Sequence, residues 1–213
     1  MRYEGMGTTQ RFEFAKRRYD EWETFKKYNN IMGIPPKRVV FHMTSVIYDC
    51  VSFGENVYVG PHSVIGHPGF GFGFDEEGVP LRIGHTGGVF IGDGVEIGCM
   101  VTICQGTVEN TVIGDNTKID DFAHIAHNVV LGKCVVIPGK VGIGGSAVIG
   151  DYAYLGQGCI IKNKVKVGDH CFIGAGAVVV KDTEPYGVYA GVPAKLIRTR
   201  RLEEDKYTTK EED

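Results

Sequence analysis

The sequence predicts an all-β solenoid, a parallel β-helix with a short helix at each end, and three observations predict it. An aliphatic residue recurs every six positions without a break from Ile113 through Ile119, Ile125, Leu131, Ile137, Ile143, Ile149, Leu155, Ile161, Val167 and Ile173 to Val179. Two positions earlier stands a small or β-branched residue, as at Ala123, Val129, Val135, Ala147, Cys159 and Ala177. Glycine makes up 31 of 213 residues, well above its average usage of about 7%, and often follows the aliphatic, as at Gly114, Gly132, Gly150 and Gly168. A period of six matches neither a 3.6-residue helix nor a plain alternating strand. It matches short strands joined by tight turns, each strand sending one aliphatic and one small side chain inward.

A longer period lies on the first. Ile-Gly-Asp at 113–115 and 149–151, Leu-Gly-Lys at 131–133 and Val-Gly-Asp at 167–169 fall 18 residues apart. Three hexads therefore make one coil, and residues 18 apart should stack at the strand spacing of about 4.8 Å. The hand of the coil does not follow from periodicity.

From the N-terminus, residues 1–36 read as a helical segment and linker. Thr8 and Thr9 cap it, Phe12, Ala15, Tyr19 and Trp22 share one face, and Gly33 with Pro35-Pro36 ends it. Residues 37–184 read as the coils, with earlier beats at Ile47, Phe53, Val59 and Ile65 and again at Ile91, Ile97 and Ile103. The rhythm breaks twice. Twenty extra residues separate Ile65 from Ile91 and include His67-Pro68-Gly69-Phe70-Gly71-Phe72-Gly73-Phe74; four extra separate Ile103 from Ile113. A coil tolerates extra residues only at its corners, so 66–88 and 107–110 are expected to protrude, as functional loops or as edge covers and subunit contacts. Residues 185–213 read as an extension: Pro185 and Gly187 close the coils, and Ala194 to Lys206 form a short charged helix.

Composition narrows the function. Lys plus Arg total 23 against 26 for Asp plus Glu, a formal charge of -3, which argues against nucleic acid or an anionic membrane as the main partner. No apolar run approaches the ~18 residues of a membrane span. The six cysteines form no CxxC pair and the chain opens without an apolar signal segment. A reduced, cytoplasmic protein with free thiols is expected, an extracellular disulfide scaffold being the alternative.

The best candidate for chemistry is His124-Ile125-Ala126-His127-Asn128. Ile125 keeps the six-residue beat and points inward, so both histidines fall on the outer wall or near a corner. An imidazole there could take a proton from a hydroxyl or an amine, or be merely structural. One coil above His127 is Gly145, whose bare N–H suits an oxyanion, unless the glycine serves a turn of positive φ. The column continues to Asn163 and Lys181, so one wall could host an extended ligand.

These hexads, over about residues 46–198, resemble the left-handed β-helix acyltransferases of the hexapeptide class. The resemblance implies a left-handed prism, against the usual right-handed crossover, and a homotrimer with active sites between subunits. It implies His127 as general base, Gly145 as backbone oxyanion donor and Asn128 as the residue orienting the imidazole. Gly69-Phe70-Gly71-Phe72, the run Gly88 to Asp93 and the His127 stretch look most like the N-acyltransferases of lipid A synthesis, which use acyl carrier protein. This chain departs from them at Ile103-Cys104-Gln105-Gly106, where they have Ile-Asp-Arg-Gly, and at His124, where Gln is common. It also carries a helix and linker in place of their uridine-binding domain. Its ending, Gly187-Val188-Tyr189-Ala190-Gly191-Val192-Pro193-Ala194-Lys195, resembles coenzyme-A-dependent acetyltransferases of nucleotide-linked amino sugars.

The expected reaction is therefore direct, metal-free transfer from acetyl-CoA to the amine of a nucleotide-linked amino sugar, a surface-polysaccharide precursor. The alternatives are the carrier-protein-dependent lipid A type and a sugar O-acetyltransferase. His124, Asp120, Asp121 and Phe72 are the expected substrate contacts. Gly145, Asn163, Ala175, Lys181 and Lys195 are those for the donor, with Arg198 a further candidate for its phosphates. A γ-type carbonic anhydrase would need three zinc-binding histidines, two of them with four residues between; His124 and His127 have two. A non-catalytic assembly module should lack both the histidine–glycine pair and the Gly-Val-Pro-Ala-Lys ending.

Overall fold

The computed structural model describes residues 39–200, in which short strands alternate with tight turns and no helix occurs. The strands stack into three sheets of nine, seven and six, which we call faces 1, 2 and 3 in the order the chain visits them. Face 1 includes Val57–Val59, Glu96–Ile97, Lys118–Ile119, Val136–Ile137 and Tyr154–Leu155. Face 2 includes Val64–His67, Thr102–Cys104, His124–Ile125, Gly142–Ile143 and Ile160–Ile161. Face 3 includes Val51–Phe53, Val89–Ile91, Thr111–Ile113, Val130–Leu131 and Val148–Ile149. The result is a parallel β-solenoid.

Register carries the 18-residue coil into three dimensions: Lys118 pairs with Val136, His124 with Gly142 and Val148 with Lys166. Across the shorter break the offset widens, as Thr102 pairs with His124 and Phe90 with Val112. Across the longer one Ser52 pairs with Phe90 and Tyr58 with Glu96. The ladders therefore run on, and the extra residues leave the solenoid at its corners. Part of the longer insertion forms a hairpin of Phe72–Phe74 against Pro80–Arg82.

The beats build the core. Ile119, Ile125, Leu131, Ile137, Ile143, Ile149, Leu155 and Ile161 are buried, and so are their small partners from Ala123 to Ala177. A large and a small residue per strand let three faces close on one packed axis. Ile137 is fully buried and stacks on Ile119 one coil away. Ile137→Ala should cost about 2–5 kcal/mol, read as a lower urea midpoint at unchanged slope, and a loss below 1 kcal/mol would contradict a packed axis.

The turns explain much of the rest. Every sixth residue from Asn116 to Gly176 has positive φ, Phe122, Asn128, Ser146 and Lys164 among them. The strain is offset by backbone bonds between coils: Ser146 N–H donates to His127 O and Lys164 N–H to Gly145 O, each at 2.9 Å. The Gly-Asp pairs have a related cause. The Asp151 carboxylate accepts Lys133 N–H and that of Asp169 accepts Asp151 N–H, both at 2.9 Å. A Cβ on Gly132 or Gly150 would collide with those carboxylates.

One expectation fails at the C-terminal end. Where a charged helix from Ala194 to Lys206 was expected, Lys195–Thr199 is a strand, antiparallel to Gly187–Ala190. The physical reason is the open edge of face 1: its last parallel strand has unpaired backbone groups, and β-branched Ile197 and Thr199 suit the ladder that satisfies them. The rest of that helix, from 201, and the N-terminal helix and linker lie outside the described residues. Among the described residues no helix is long and apolar enough to cross a membrane.

Candidate active site

Strand His124–Ile125 ends face 2, and His127 and Asn128 turn the chain onto face 3. Asn128 occupies the left-handed corner position, φ 59°, which Asn tolerates better than most residues. Both insertions converge on this corner. Gln105 clamps the longer one at both ends, its N–H donating to His67 O (3.0 Å) and its Nε2 to His85 O (2.8 Å). Thr86 joins the two insertions through its N–H and Oγ1, which donate to Thr107 O at 2.8 and 3.0 Å.

The shorter insertion fixes the Asn128 amide. Thr107 N–H and Oγ1 donate to Asn128 Oδ1 at 3.1 and 2.9 Å, while Asn128 Nδ2 donates to Glu109 O at 2.9 Å. With the oxygen thus identified, the contact of His127 Nδ1 with Asn128 Oδ1 (2.9 Å) requires the proton on Nδ1. In the neutral ring His127 Nε2 is then a free lone pair, the form a general base needs.

Two glycines make room for that ring. A Cβ on Gly145 would stand 2.7 Å from both Cε1 and Nε2 of His127. Positive φ falls on Ser146 and not on Gly145, so the glycine serves the imidazole and not the turn. On the other side, a Cβ on Gly69 would lie 3.0 Å from Cβ and Cδ2 of His127 and 2.9 Å from Nε2 of His85. The His85 ring meets His127 edge to face, centroids 5.5 Å apart. Gly145 N–H has no acceptor among the described residues, so a donor is free beside the lone pair. That pairing could take a proton and hold an oxyanion at one place.

His124 points outward and its Nδ1 shares a 2.7 Å hydrogen bond with Thr102 Oγ1. Loss of water around the ring, and then the nearby His67, push its pKa below the ordinary value. His67 Nε2 contacts Cys104 Sγ at 3.5 Å. Burial pushes the Cys104 thiol up to about 11, so it is no nucleophile at neutral pH.

The other expected site residues are dispersed. Asp120 and Asp121 occupy the opposite edge of face 2, where they accept Gly139 N–H (3.1 Å) and Cys99 N–H (2.7 Å); Ala175 is on that same edge, three coils further on. Phe72 is in the hairpin, edge-on to Phe70 and under the Arg82 guanidinium. Asn163 follows Gly145 one coil on and is exposed, as are Lys181 and Lys195. A concavity of about 380 Å³ on face 1, lined by Tyr58, Glu96, Lys118, Asp120, Val136 and Pro138, is away from His127. Its Lys118–Glu96 pair (2.8 Å) is exposed and offers no base. Among the described residues no three His, Cys, Asp or Glu side chains converge to hold a metal.

The periodicity could not reveal His85, Gly69, Gln105 or Thr107, which all lie off the repeat. Its one pointer is that both breaks fall in the coils before His127.

Comparison with known proteins agrees with this architecture. The family described as bacterial transferase hexapeptide (six repeats) matches residues 110–145 and 146–181. A probable mitochondrial UDP-3-O-acylglucosamine N-acyltransferase of Arabidopsis thaliana is 37% identical over 150 residues, 70% of this chain and 49% of that protein. The UDP-3-O-acylglucosamine N-acyltransferase of Methylorubrum extorquens is 40% identical over 146 residues, 68% of this chain and 41% of that one. The chain thus spans about half the length of these relatives or less. A crystal structure of a UDP-N-acetylglucosamine acyltransferase from Bacteroides fragilis shares the fold, with a TM-score of 0.66 at 23% identity over 73% of this chain and 59% of that one. Residues 110–181 thus match the hexapeptide-repeat family, in keeping with the six-residue beat of the sequence. The two sequence relatives named above are N-acyltransferases of a UDP-linked sugar.

Proposed function

We propose that this protein is an acyltransferase that moves an acyl group from a thioester to the amine of a UDP-linked glucosamine derivative. The observation that carries the reading is the His127 Nε2 lone pair beside the unpaired Gly145 N–H. The coil is taken as left-handed and the assembly as a homotrimer, with the donor lying along the wall through Asn163 towards Lys181. The names of the sequence relatives favour the lipid A type of N-acylation over acetylation. The expected donor accordingly shifts from acetyl-CoA to a longer acyl chain on acyl carrier protein or coenzyme A.

In the step itself the amine nitrogen attacks the thioester carbonyl carbon while His127 Nε2 takes the proton the nitrogen sheds. The carbonyl oxygen, now negative, is held by Gly145 N–H. Collapse breaks the C–S bond, and the imidazolium returns its proton to the departing thiolate, giving amide and thiol. Asn128 keeps the proton on Nδ1 throughout, and His124 and Phe72 are taken as the sugar contacts.

The test is thiol release from acetyl-CoA and from longer acyl thioesters, on coenzyme A and on acyl carrier protein, with UDP-linked amino sugars as acceptors. Release with a longer chain and an amino sugar supports the reading. Release only with acetyl-CoA would return the donor to acetyl-CoA, and silence with every pair would defeat acyl transfer to such sugars.

A further inference from the structure

Among the described residues, His85 Nε2 is the buried side-chain polar atom without a partner. His85 Nδ1 lies 2.9 Å from the Ile83 carbonyl, which only accepts, so Nδ1 carries the proton and Nε2 of the neutral ring is a bare lone pair. Gly69 and Gly71 close over it: a Cβ on either would stand 2.9 or 3.7 Å from that nitrogen. The same point above Gly69 is 3.0 Å from His127 Cδ2. The orphaned lone pair and the edge of the His127 ring therefore converge on one spot.

Resting on the reading of His127 as the base, we infer that His85 is a positioning residue whose lone pair faces the imidazolium that His127 becomes. In the resting state that lone pair is buried without compensation, and a positive ring beside it supplies the missing partner. Low local dielectric strengthens such a charge–dipole contact. Among the described residues no hydrogen-bonded neighbour of His127 brings a negative charge. On its own corner Asn128 is neutral, and His124 is turned to Thr102. From the shorter insertion Thr107 donates to Asn128, and Glu109 offers its backbone carbonyl to the same amide. From the next coil Gly145 brings no side chain. Arg82, on the hairpin, donates to Gly69 O at 3.2 Å and covers Phe72. No carboxylate forms an ion pair with His127 among the described residues.

Two variants separate this role from mere packing. His85→Asn keeps an amide N–H where Nδ1 donates to Ile83 O and removes the lone pair. His85→Gln carries an amide oxygen out to the position of Nε2. NMR titration of the His127 imidazole in the ligand-free protein should show the midpoint of His85→Asn lower by about half a unit to one unit. His85→Gln should restore it, and the acid limb of kcat/KM should move in step. In the wild type the ¹⁵N shift of His85 Nε2 should follow the His127 titration, which keeps the test open should a variant fail to fold. An unmoved midpoint in His85→Asn, equal displacement in both variants, or a wild-type His85 signal blind to His127 would overturn the inference. Because the titration needs no substrate, a coupled midpoint without turnover would sink the acyl-transfer reading and leave the coupling standing.

Discussion

Replacing His127 by Ala should lower kcat by about 10²–10⁴-fold with whichever thioester and amino sugar the wild type uses, the usual share of a general base. The loss should fall on kcat more than on donor KM, because the ring touches the proton in flight and not the bulk of the donor. Folding should survive. The corner depends on the backbone of His127, whose carbonyl accepts Ser146 N–H at 2.9 Å, and on Asn128, whose amide is held by Thr107 and Glu109 without help from the imidazole. Steady-state kinetics beside a thermal melt would check both halves. A drop of less than threefold would move the base to another group, His124 in the preceding strand being one candidate. The residual rate in His127→Ala should also lose the acid limb of the pH profile.

Most of the solenoid was legible because its physics is one-dimensional. Each hexad needs one large and one small inward residue, and Ile125 with Ala123 or Ile161 with Cys159 write that need directly into the sequence. The 18-residue offset is equally local, since Gly132 must stay bare under the Asp151 carboxylate. What was misread at the C-terminus was not local. Lys195–Thr199 has no strand signature of its own stronger than Ile197 and Thr199; the exposed edge of Gly187–Ala190 makes it a strand. An edge produced by the preceding coil is invisible in a segment's propensity.

The candidate site divides along the same line. His127 and Gly145 sit 18 residues apart within the unbroken repeat, so stacking could be reasoned from spacing. Asn128 follows as the corner residue. His85 and Gly69 could not be found this way, because the residues between Ile65 and Ile91 belong to no period and their placement depends on Gln105 and Thr107, which close the insertions against the coils. Asp120 and Asp121 show the converse limit. They are close to His127 in sequence, yet a hexad separates one prism edge from the next, and their carboxylates are engaged by Gly139 and Cys99 N–H groups.

Gly145→Ala should be nearly as damaging as loss of the base, lowering kcat by about 10²–10³-fold, with little change in stability. The added methyl would stand 2.7 Å from His127 Cε1 and Nε2, far inside contact distance. The ring has no room to retreat: Gly69 backs its other side, and Nδ1 is tied to Asn128 at 2.9 Å. Either that hydrogen bond breaks or the methyl covers the lone pair, and in both cases the base is disarmed. The backbone itself accepts alanine, since φ at 145 is not in the left-handed region. Gly142→Ala, in the same coil with nothing within 4 Å of its added Cβ, should remain within about threefold of wild type, as a surface change away from packing does. A double variant with His127→Ala then separates two causes. If the methyl acts only by displacing the imidazole, the double variant should be no slower than His127→Ala alone. If Gly145 N–H also holds the oxyanion, the methyl crowds that donor whether or not the ring is present, and the double variant should be slower still. A Gly145→Ala enzyme with unimpaired kcat would remove both the steric and the oxyanion account of this glycine.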